Sequence, residues 1–251
     1  MTAASIPEAW ETYPAFVDGK PAMFFLNMGM VQVAPLEAAP SLYLIKVEME
    51  EPGEAGMGTP AEAQRFMPFE DAVCESAAKD GLLFAGRVRT DGHWEMGFYG
   101  PNDVDLGEVL DRVETAGFSI QLGGGEDPQW EFLLGYLAPD RERWQWIMDH
   151  RVVRQLIDAG DDPEKPRVVD HAAHFRSEAA VDSFVAAAKE RGYEESQRDE
   201  QKGRSDYPWM VEVKREDAVS INHIHDAVME LIELVESHGG DYDGWGCPVT
   251  Q

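Results

Sequence analysis

Alternating apolar and polar residues in the first half of the chain predict paired β-strands. Residues 10–17 and 22–28 form one such pair, and residues 82–89 and 93–99 form another. Each pair is separated by an Asp-Gly dipeptide, whose residues accept the positive φ angles of a tight hairpin turn. We therefore expect two β-hairpins. Further strands in this half are expected over residues 41–49, 118–122 and 130–136.

Apolar residues at helical spacing predict helices in both halves. The sequence Thr59-Pro60-Ala61-Glu62 is typical of a helix start, because threonine caps free N–H groups and proline fits the first turn. Pro68 is expected to kink or split that helix. Another long helix is predicted over residues 139–159. Its expected buried stripe is Trp144, Met148, Val152 and Leu156.

The order of the predicted elements indicates the fold class. Residues 41–122 and residues 167–249 both follow the order β-α-β-β-α-β. This order is typical of the ferredoxin-like split unit, an antiparallel sheet with helices packed on one face. We predict an α+β protein of two tandem ferredoxin-like antiparallel-sheet sandwiches, the N-terminal one with extra strands. The expected domains are residues 1–140 and residues 141–251.

The charge of the chain restricts the class of partner. The sequence contains 48 acidic and 21 basic residues, a net charge of -27, and both halves are acidic. Such a surface repels phosphate backbones, so direct binding of nucleic acid is not expected. It attracts a protein with a basic surface. The ordinary alternative is that the charge only keeps the protein in solution.

Membrane association and disulfide bonding are not expected. No apolar run approaches the roughly 20 residues that cross a bilayer. Residues 1–8 lack the basic start and apolar stretch of a signal peptide. Cys74 and Cys247 are far apart in the sequence and are interpreted as two reduced thiols. Together these features predict a cytoplasmic protein.

Candidate metal and catalytic residues do not combine into a site. His171 and His174 lie three apart on a predicted strand and point to opposite faces, and His223 and His225 diverge on a helix. Glu212-Val213-Lys214, with Asp206 upstream, has the weak acid-x-lysine pattern of metal-dependent nucleases. No nucleophile has a recognisable motif around it. We therefore expect no catalytic residues, no metal and no cofactor.

Three consecutive glycines, Gly123-Gly124-Gly125, could surround a phosphate group. Glu126 and Asp127 follow them directly and would repel the phosphate, and no Lys-Ser or Lys-Thr pair follows. The interpretation from sequence is therefore a loose hairpin turn.

The C-terminal sequence Tyr242-Asp243-Gly244-Trp245-Gly246 presents a large aromatic side chain between two glycines. Exposed tryptophans are frequent anchors of protein interfaces. The ordinary alternative is that Trp245 packs on its own sheet. We expect these five residues, with Asp161 and Asp162, to bind a partner.

The second half resembles a known family along residues 149–249. The matching motifs are residues 156–163, which contain Ala159-Gly160-Asp161-Asp162-Pro163, the strand 170–175, the Gly192-Tyr193 turn, and the Tyr242–Gly246 sequence after the last helix. These resemble the regulators of ribonuclease E activity of type B. The resemblance implies a ferredoxin-like α/β sandwich without catalytic residues that inhibits ribonuclease E by binding it. The long acidic tail that some members have after the tryptophan is absent from this sequence.

Residues 8–140 resemble a family of uncharacterised bacterial proteins, domain of unknown function 695. The matching elements are Trp10-Glu11-x-Tyr13, Gly19-x-Pro21, Gly58-x-Pro60 with Glu62, and Gly86-Arg87. This resemblance implies no activity.

Three hypotheses follow from the sequence. The first is a non-catalytic regulator that binds a protein with a basic surface, for which a ribonuclease E-type enzyme is the candidate. The second is a metal-dependent hydrolase or nuclease of unknown substrate. The third is a structural tandem that dimerises through a sheet edge.

Overall fold

The computed structural model describes residues 6–201 and 206–250. The chain divides into two compact units, Met1–Arg143 and Trp144–Gln251. Each unit contains one antiparallel sheet with helices, so the protein is a mixed α/β protein. Parts of two segments interpreted from the sequence lie outside the described residues. Residues 1–5 belong to the stretch interpreted as lacking a signal peptide. Residues 202–205 belong to a polar segment, residues 197–208, that the sequence predicts to be a loop.

The first unit contains a six-stranded sheet. Its elements in chain order are β1 Trp10–Val17, β2 Lys20–Asn27, α1 Met28–Val33, β3 Ser41–Glu48, α2 Pro60–Lys79, β4 Leu83–Thr90, β5 His93–Gly100, α3 Leu106–Asp111, β6 Ile120–Glu126 and a π-helix Phe132–Leu137. The strand order is β1-β2-β4-β5-β3-β6, and every pair is antiparallel. The helix α4, Arg141–Asp158, follows.

Local sequence determines the turns and the start of α2. Asp18 and Gly19 have φ angles of 50° and 75°, and Asp91 and Gly92 have 45° and 78°. These positive values confirm both predicted hairpins. The Thr59 hydroxyl accepts a hydrogen bond from the Glu62 N–H, as the capping motif predicts. Pro68 lies inside α2 and does not split it.

Both faces of the first sheet are covered. On one face, α2 and α3 pack Phe66, Phe69, Val73 and Val109 against buried side chains of β3 and β5. On the other face, the π-helix packs against β2 and β4 and buries Leu133 and Leu137. The Tyr13 hydroxyl donates a hydrogen bond to the Leu137 carbonyl over 2.7 Å. The sheet is therefore the central layer of this unit.

Two predictions for the end of the first unit are wrong. Gly123-Gly124-Gly125 lies within strand β6 and is not a hairpin turn. Residues 130–136, predicted as a strand, include most of the π-helix. The Asp127 carboxylate accepts hydrogen bonds from the N–H groups of Glu131 and Phe132 and so begins a helical turn. A short apolar run cannot by itself distinguish a strand from a buried helical segment.

The second unit contains a four-stranded sheet. Its elements after α4 are β7 Arg167–Phe175, α5 Glu178–Glu190, β8 Glu194–Glu200, β9 Trp209–Asp217, α6 Ile221–Ser237 and β10 Gly240–Gly246. The strand order is β10-β7-β9-β8 with antiparallel pairs throughout. Strand β8 continues to Glu200 and so includes the first residues of the predicted loop over 197–208. Phe184, Leu231 and Val235 of the helices pack on Phe175 and Val211 of the sheet.

Helix α4 faces its core differently from the prediction. Its buried residues are Ile147, Asp149, Val153 and Leu156. Trp144 and Met148, expected in the core, are 38% and 39% exposed. Leu156 of the expected stripe is buried and Val152 packs against the core, so the error is confined to the first turns, which contain apolar residues on more than one face. None of the helices in the described part of the chain is long and apolar enough to cross a membrane.

Candidate functional site

The C-terminal strand β10 contains a bulge at the predicted partner-binding residues. Tyr242 lies opposite Ala173 and Gly244 lies opposite Ala172, so Asp243 is the extra residue that shifts the register of the strand. Gly244 has a φ of 146°, which L-residues rarely adopt. Without the bulge, Tyr242 and Trp245 would face opposite sides of the sheet. With it, both lie on the face that the helices cover, and Asp243 remains 55% exposed.

Trp245 is fixed within its own unit by a buried carboxylate. Its indole N–H donates to the Asp149 Oδ1 atom over 3.0 Å. The ring also packs at the edge of a core cluster that includes Val169, Ile224 and Val228. The tryptophan is half-buried, so part of the ring remains available at the surface. The ring therefore packs within its own unit, as the ordinary alternative expects, and a role of its exposed part in binding a partner stays a prediction.

Asp149 is the central group of this site, and sequence reasoning did not identify it. Its side chain is 1% exposed. Its carboxylate accepts a hydrogen bond from the Gln145 amide over 2.8 Å and lies 2.9 Å from His225 Nδ1. One signal in the sequence could have indicated Asp149. This residue lies four positions before Val153 and seven before Leu156, so an acidic residue falls on the apolar stripe of α4.

His171 and Tyr242 form a second buried pair beside Trp245. The His171 Nδ1 atom lies 2.8 Å from the Tyr242 hydroxyl oxygen, and the imidazole is 1% exposed. Among the described residues, His171 Nε2 has no hydrogen-bond partner. Burial lowers the pKa of His171 to about 4 and raises the pKa of Tyr242, so both groups are neutral at pH 7.

The lowered pKa of His171 predicts a loss of stability in mild acid. The unfolded histidine binds a proton below about pH 6.5, whereas the folded one does so only near pH 4. The stabilisation is fully present above pH 6.5 and is lost as the pH falls toward 4. Between about pH 7.5 and pH 5, urea unfolding should show the wild type losing about 2 kcal/mol more than His171→Gln. Equal losses of unfolding free energy in the two proteins would contradict the lowered pKa of His171.

Asp161 and Asp162 lie against the segment that follows Trp245. Arg167 Nη1 donates to both Asp161 carboxylate oxygens, at 2.6 and 2.5 Å, and the two side chains are 3% and 0% exposed. The hydrogen bond from Arg167 lowers the pKa of Asp161. The Thr250 N–H donates to Asp161 and the Asp162 N–H donates to the Thr250 carbonyl. Asp161 therefore holds the C-terminal segment, while the Asp162 side chain is 50% exposed.

A concave surface of about 630 Å³ lies beside β10 on the second unit. Its wall includes Gly244, Trp245 and Gly246 from the predicted set. The ionisable acids in the wall are Asp170, Glu212 and Asp243, and among the described residues, 6–201 and 206–250, no lysine or arginine lines it. We call this surface the β10 groove.

The histidines weighed as metal ligands lie in separate environments. His225 contacts Asp149, and His223 Nε2 lies 3.1 Å from Asp217 Oδ1. His174 Nε2 lies 3.6 Å from Asp243 Oδ2. Within the described residues, no three His, Cys, Asp or Glu side chains are grouped so that they could hold a metal ion.

Family models match both halves of the chain. The model for the family of unknown function (DUF695) matches residues 8–138, and the model for regulator of ribonuclease activity B matches residues 146–247. The second match includes Asp149, Arg167, Tyr242 and Trp245, so the whole network around β10 lies within it.

Individual relatives agree with the second match. Regulator of ribonuclease activity B from Actinobacillus succinogenes is 31% identical over 101 residues, which are 38% of this chain and 68% of the relative. The protein of the same name from Xenorhabdus nematophila is 29% identical over 103 residues, with the same coverages. The one from Haemophilus influenzae is 30% identical over 101 residues, which are 38% of this chain and 63% of the relative.

A solved structure of an unknown protein from Galdieria sulphuraria also matches, with 11% identity and a TM-score of 0.24 over 84% of this chain and 99% of the other. A score this low supports no inference about the fold. The sequence matches are decisive: the chain belongs to the family of unknown function DUF695 through residues 8–138 and to the regulator of ribonuclease activity B family through residues 146–247.

Proposed function

We propose that this protein is a non-catalytic cytoplasmic regulator that inhibits a ribonuclease E-type enzyme by binding a basic segment of it. The observation that supports this best is the β10 groove, whose ionisable acids are Asp170, Glu212 and Asp243 and whose described lining residues include no lysine or arginine. A groove with charges of one sign favours a partner segment of the opposite sign. Membership in a family of ribonuclease regulators supports the choice of enzyme.

In this proposal, the bulged strand presents the contact residues. Asp243 and Asp162 supply exposed negative charge. Trp245 supplies the accessible part of its ring, and the glycines on either side allow a partner backbone to approach closely. Asp161 and Tyr242 are buried and act by fixing the segment that makes contact.

The proposal includes a finer description of the fold and of the domains. We infer that both sheets are ferredoxin-like. The element order β-α-β-β-α-β and the strand orders β4-β5-β3-β6 and β10-β7-β9-β8 support this, with β1 and β2 as extra strands. The division after Arg143 supports domains of residues 1–140 and 141–251.

Charge reversal on the exposed acids tests the proposed function. The double variant Asp162→Lys/Asp243→Lys should bind a purified ribonuclease E-type enzyme at least about tenfold more weakly than the wild type at low salt, because like charges then meet. The difference should shrink at about 0.5 M salt, which screens exposed charges. Binding is measured by biolayer interferometry, and inhibition by the rate of RNA cleavage.

Glu75→Lys is the matched control, because it reverses an exposed acid on α2 in the other unit. It should bind and inhibit as the wild type does. Wild-type protein that neither binds the enzyme nor slows cleavage would refute the proposal. If the double variant binds the enzyme as tightly as the wild type does, the β10 groove is not the surface that binds it.

A further inference from the structure

A cavity of about 280 Å³ lies in the first unit, between α2 and strands β1, β2 and β4 of the sheet. Phe25 and Met23 of β2 line it together with Phe66 and Met67 of α2 and Trp94 of β5. The Phe66 and Trp94 rings are stacked with centroids 4.2 Å apart, and Trp10 stacks on Phe25 at 4.8 Å. The walls are therefore mainly aromatic and apolar.

Two arginines of β4, Arg87 and Arg89, also line this cavity. They are two residues apart on one strand, so their side chains lie on the same face. Arg87 Nη1 is paired with Glu70 Oε1 over 2.7 Å, and its guanidinium lies 4.5 Å from the Phe25 ring centroid. Arg87 is thus already held by this chain.

Arg89 differs from Arg87 because no acidic side chain among the described residues lies within 4.0 Å of its guanidinium. It lies opposite Met23 and Trp94 in the sheet. Burial, and then Arg87, lower the pKa of Arg89. In a chain of 48 acids and 21 bases, a half-buried arginine to which none of the described carboxylates is paired is costly for stability.

We propose that this cavity binds a small organic carboxylate with an aromatic or branched apolar body. The Arg89 guanidinium would take the carboxylate in a bidentate pair, and the apolar body would lie against Phe25, Phe66 and Met67. A single negative charge fits, because one guanidinium is uncommitted and the net charge of -27 repels polyanions. The site is separate from the β10 groove and does not depend on the proposed function.

Isothermal titration calorimetry of the full chain tests this site with phenylacetate, indoleacetate and isovalerate as probes. At least one carboxylate should bind with a dissociation constant of about 1 mM or tighter, as expected for a fragment of this size. The amide of the best probe, which has the same shape without the charge, and acetate, which lacks the body, should each bind at least about tenfold more weakly.

Three variants complete the test. Arg89→Gln should bind the best probe at least about tenfold more weakly than the wild type does. The melting temperature of this variant should be equal to or above that of the wild type. Ala63→Phe, which fills the cavity from α2, should also abolish binding. Lys79→Gln, an exposed cation on the same helix, should bind as the wild type does. Absence of binding by all three carboxylates, or binding that neither Arg89→Gln nor Ala63→Phe weakens, would overturn the proposal.

Discussion

Replacing Arg167 by methionine is expected to lower the free energy of unfolding by about 3–5 kcal/mol, the largest effect of any single change considered for this protein. The substitution keeps most of the side-chain volume and removes the charge that compensates the Asp161 carboxylate, which is completely buried. The uncompensated carboxylate must then gain a proton or draw in water. The substitution also removes the hydrogen bonds that the Arg167 guanidinium donates to the carbonyls of Asp162 and Lys165. Urea unfolding followed by circular dichroism measures the change.

Two further variants test whether the loss of stability comes from the buried pair or from the removal of any positive charge. Arg191→Met removes a cation from an exposed pair with Glu230, whose side chains are 40% and 43% exposed. It should change stability by less than about 1 kcal/mol, because surface ion pairs contribute little. The double variant Asp161→Leu/Arg167→Met should be more stable than Arg167→Met, since it leaves no unpaired charge. A loss below about 1 kcal/mol for Arg167→Met would show that Asp161 is not buried as described.

Replacing Asp149 by alanine is expected to lower the free energy of unfolding by about 2–4 kcal/mol. Three groups lose their acceptor at once: the Trp245 indole N–H, the Gln145 amide and His225. Each is then left at least partly buried without a partner. The intrinsic fluorescence of the protein should also change, because Trp245 loses the carboxylate that fixes its ring.

The control for Asp149 is Asp158→Ala, which removes an exposed aspartate from the same helix. It should change stability by less than about 0.5 kcal/mol. Trp245→Phe combined with Asp149→Asn forms a double-mutant cycle, and we expect a coupling energy of about 1 kcal/mol or more between these two side chains. A coupling near zero, or an Asp149→Ala variant as stable as the wild type, would contradict the proposed network.

Features that depend on a few neighbouring residues were predictable from the sequence. The Asp18-Gly19 and Asp91-Gly92 turns form because adjacent residues accept positive φ angles. Helix α2 begins where Thr59 caps it. Membership of the two families was also readable from local motifs, because a motif such as Tyr242–Gly246 is contiguous in sequence.

The sequence set these turns, caps and family motifs, but tertiary contacts decided how the candidate sites are built. Asp149 and Trp245 are 96 positions apart, and only the fold brings the carboxylate to the indole. The bulge at Asp243 moves Trp245 to the face of Tyr242, which strict alternation along a strand would not allow. Arg89 becomes notable only because the fold places it in an aromatic cavity away from every carboxylate of the described residues. Hydrophobic periodicity describes each element alone, whereas burial and charge pairing depend on which elements meet, and that is decided by the packing of the whole unit.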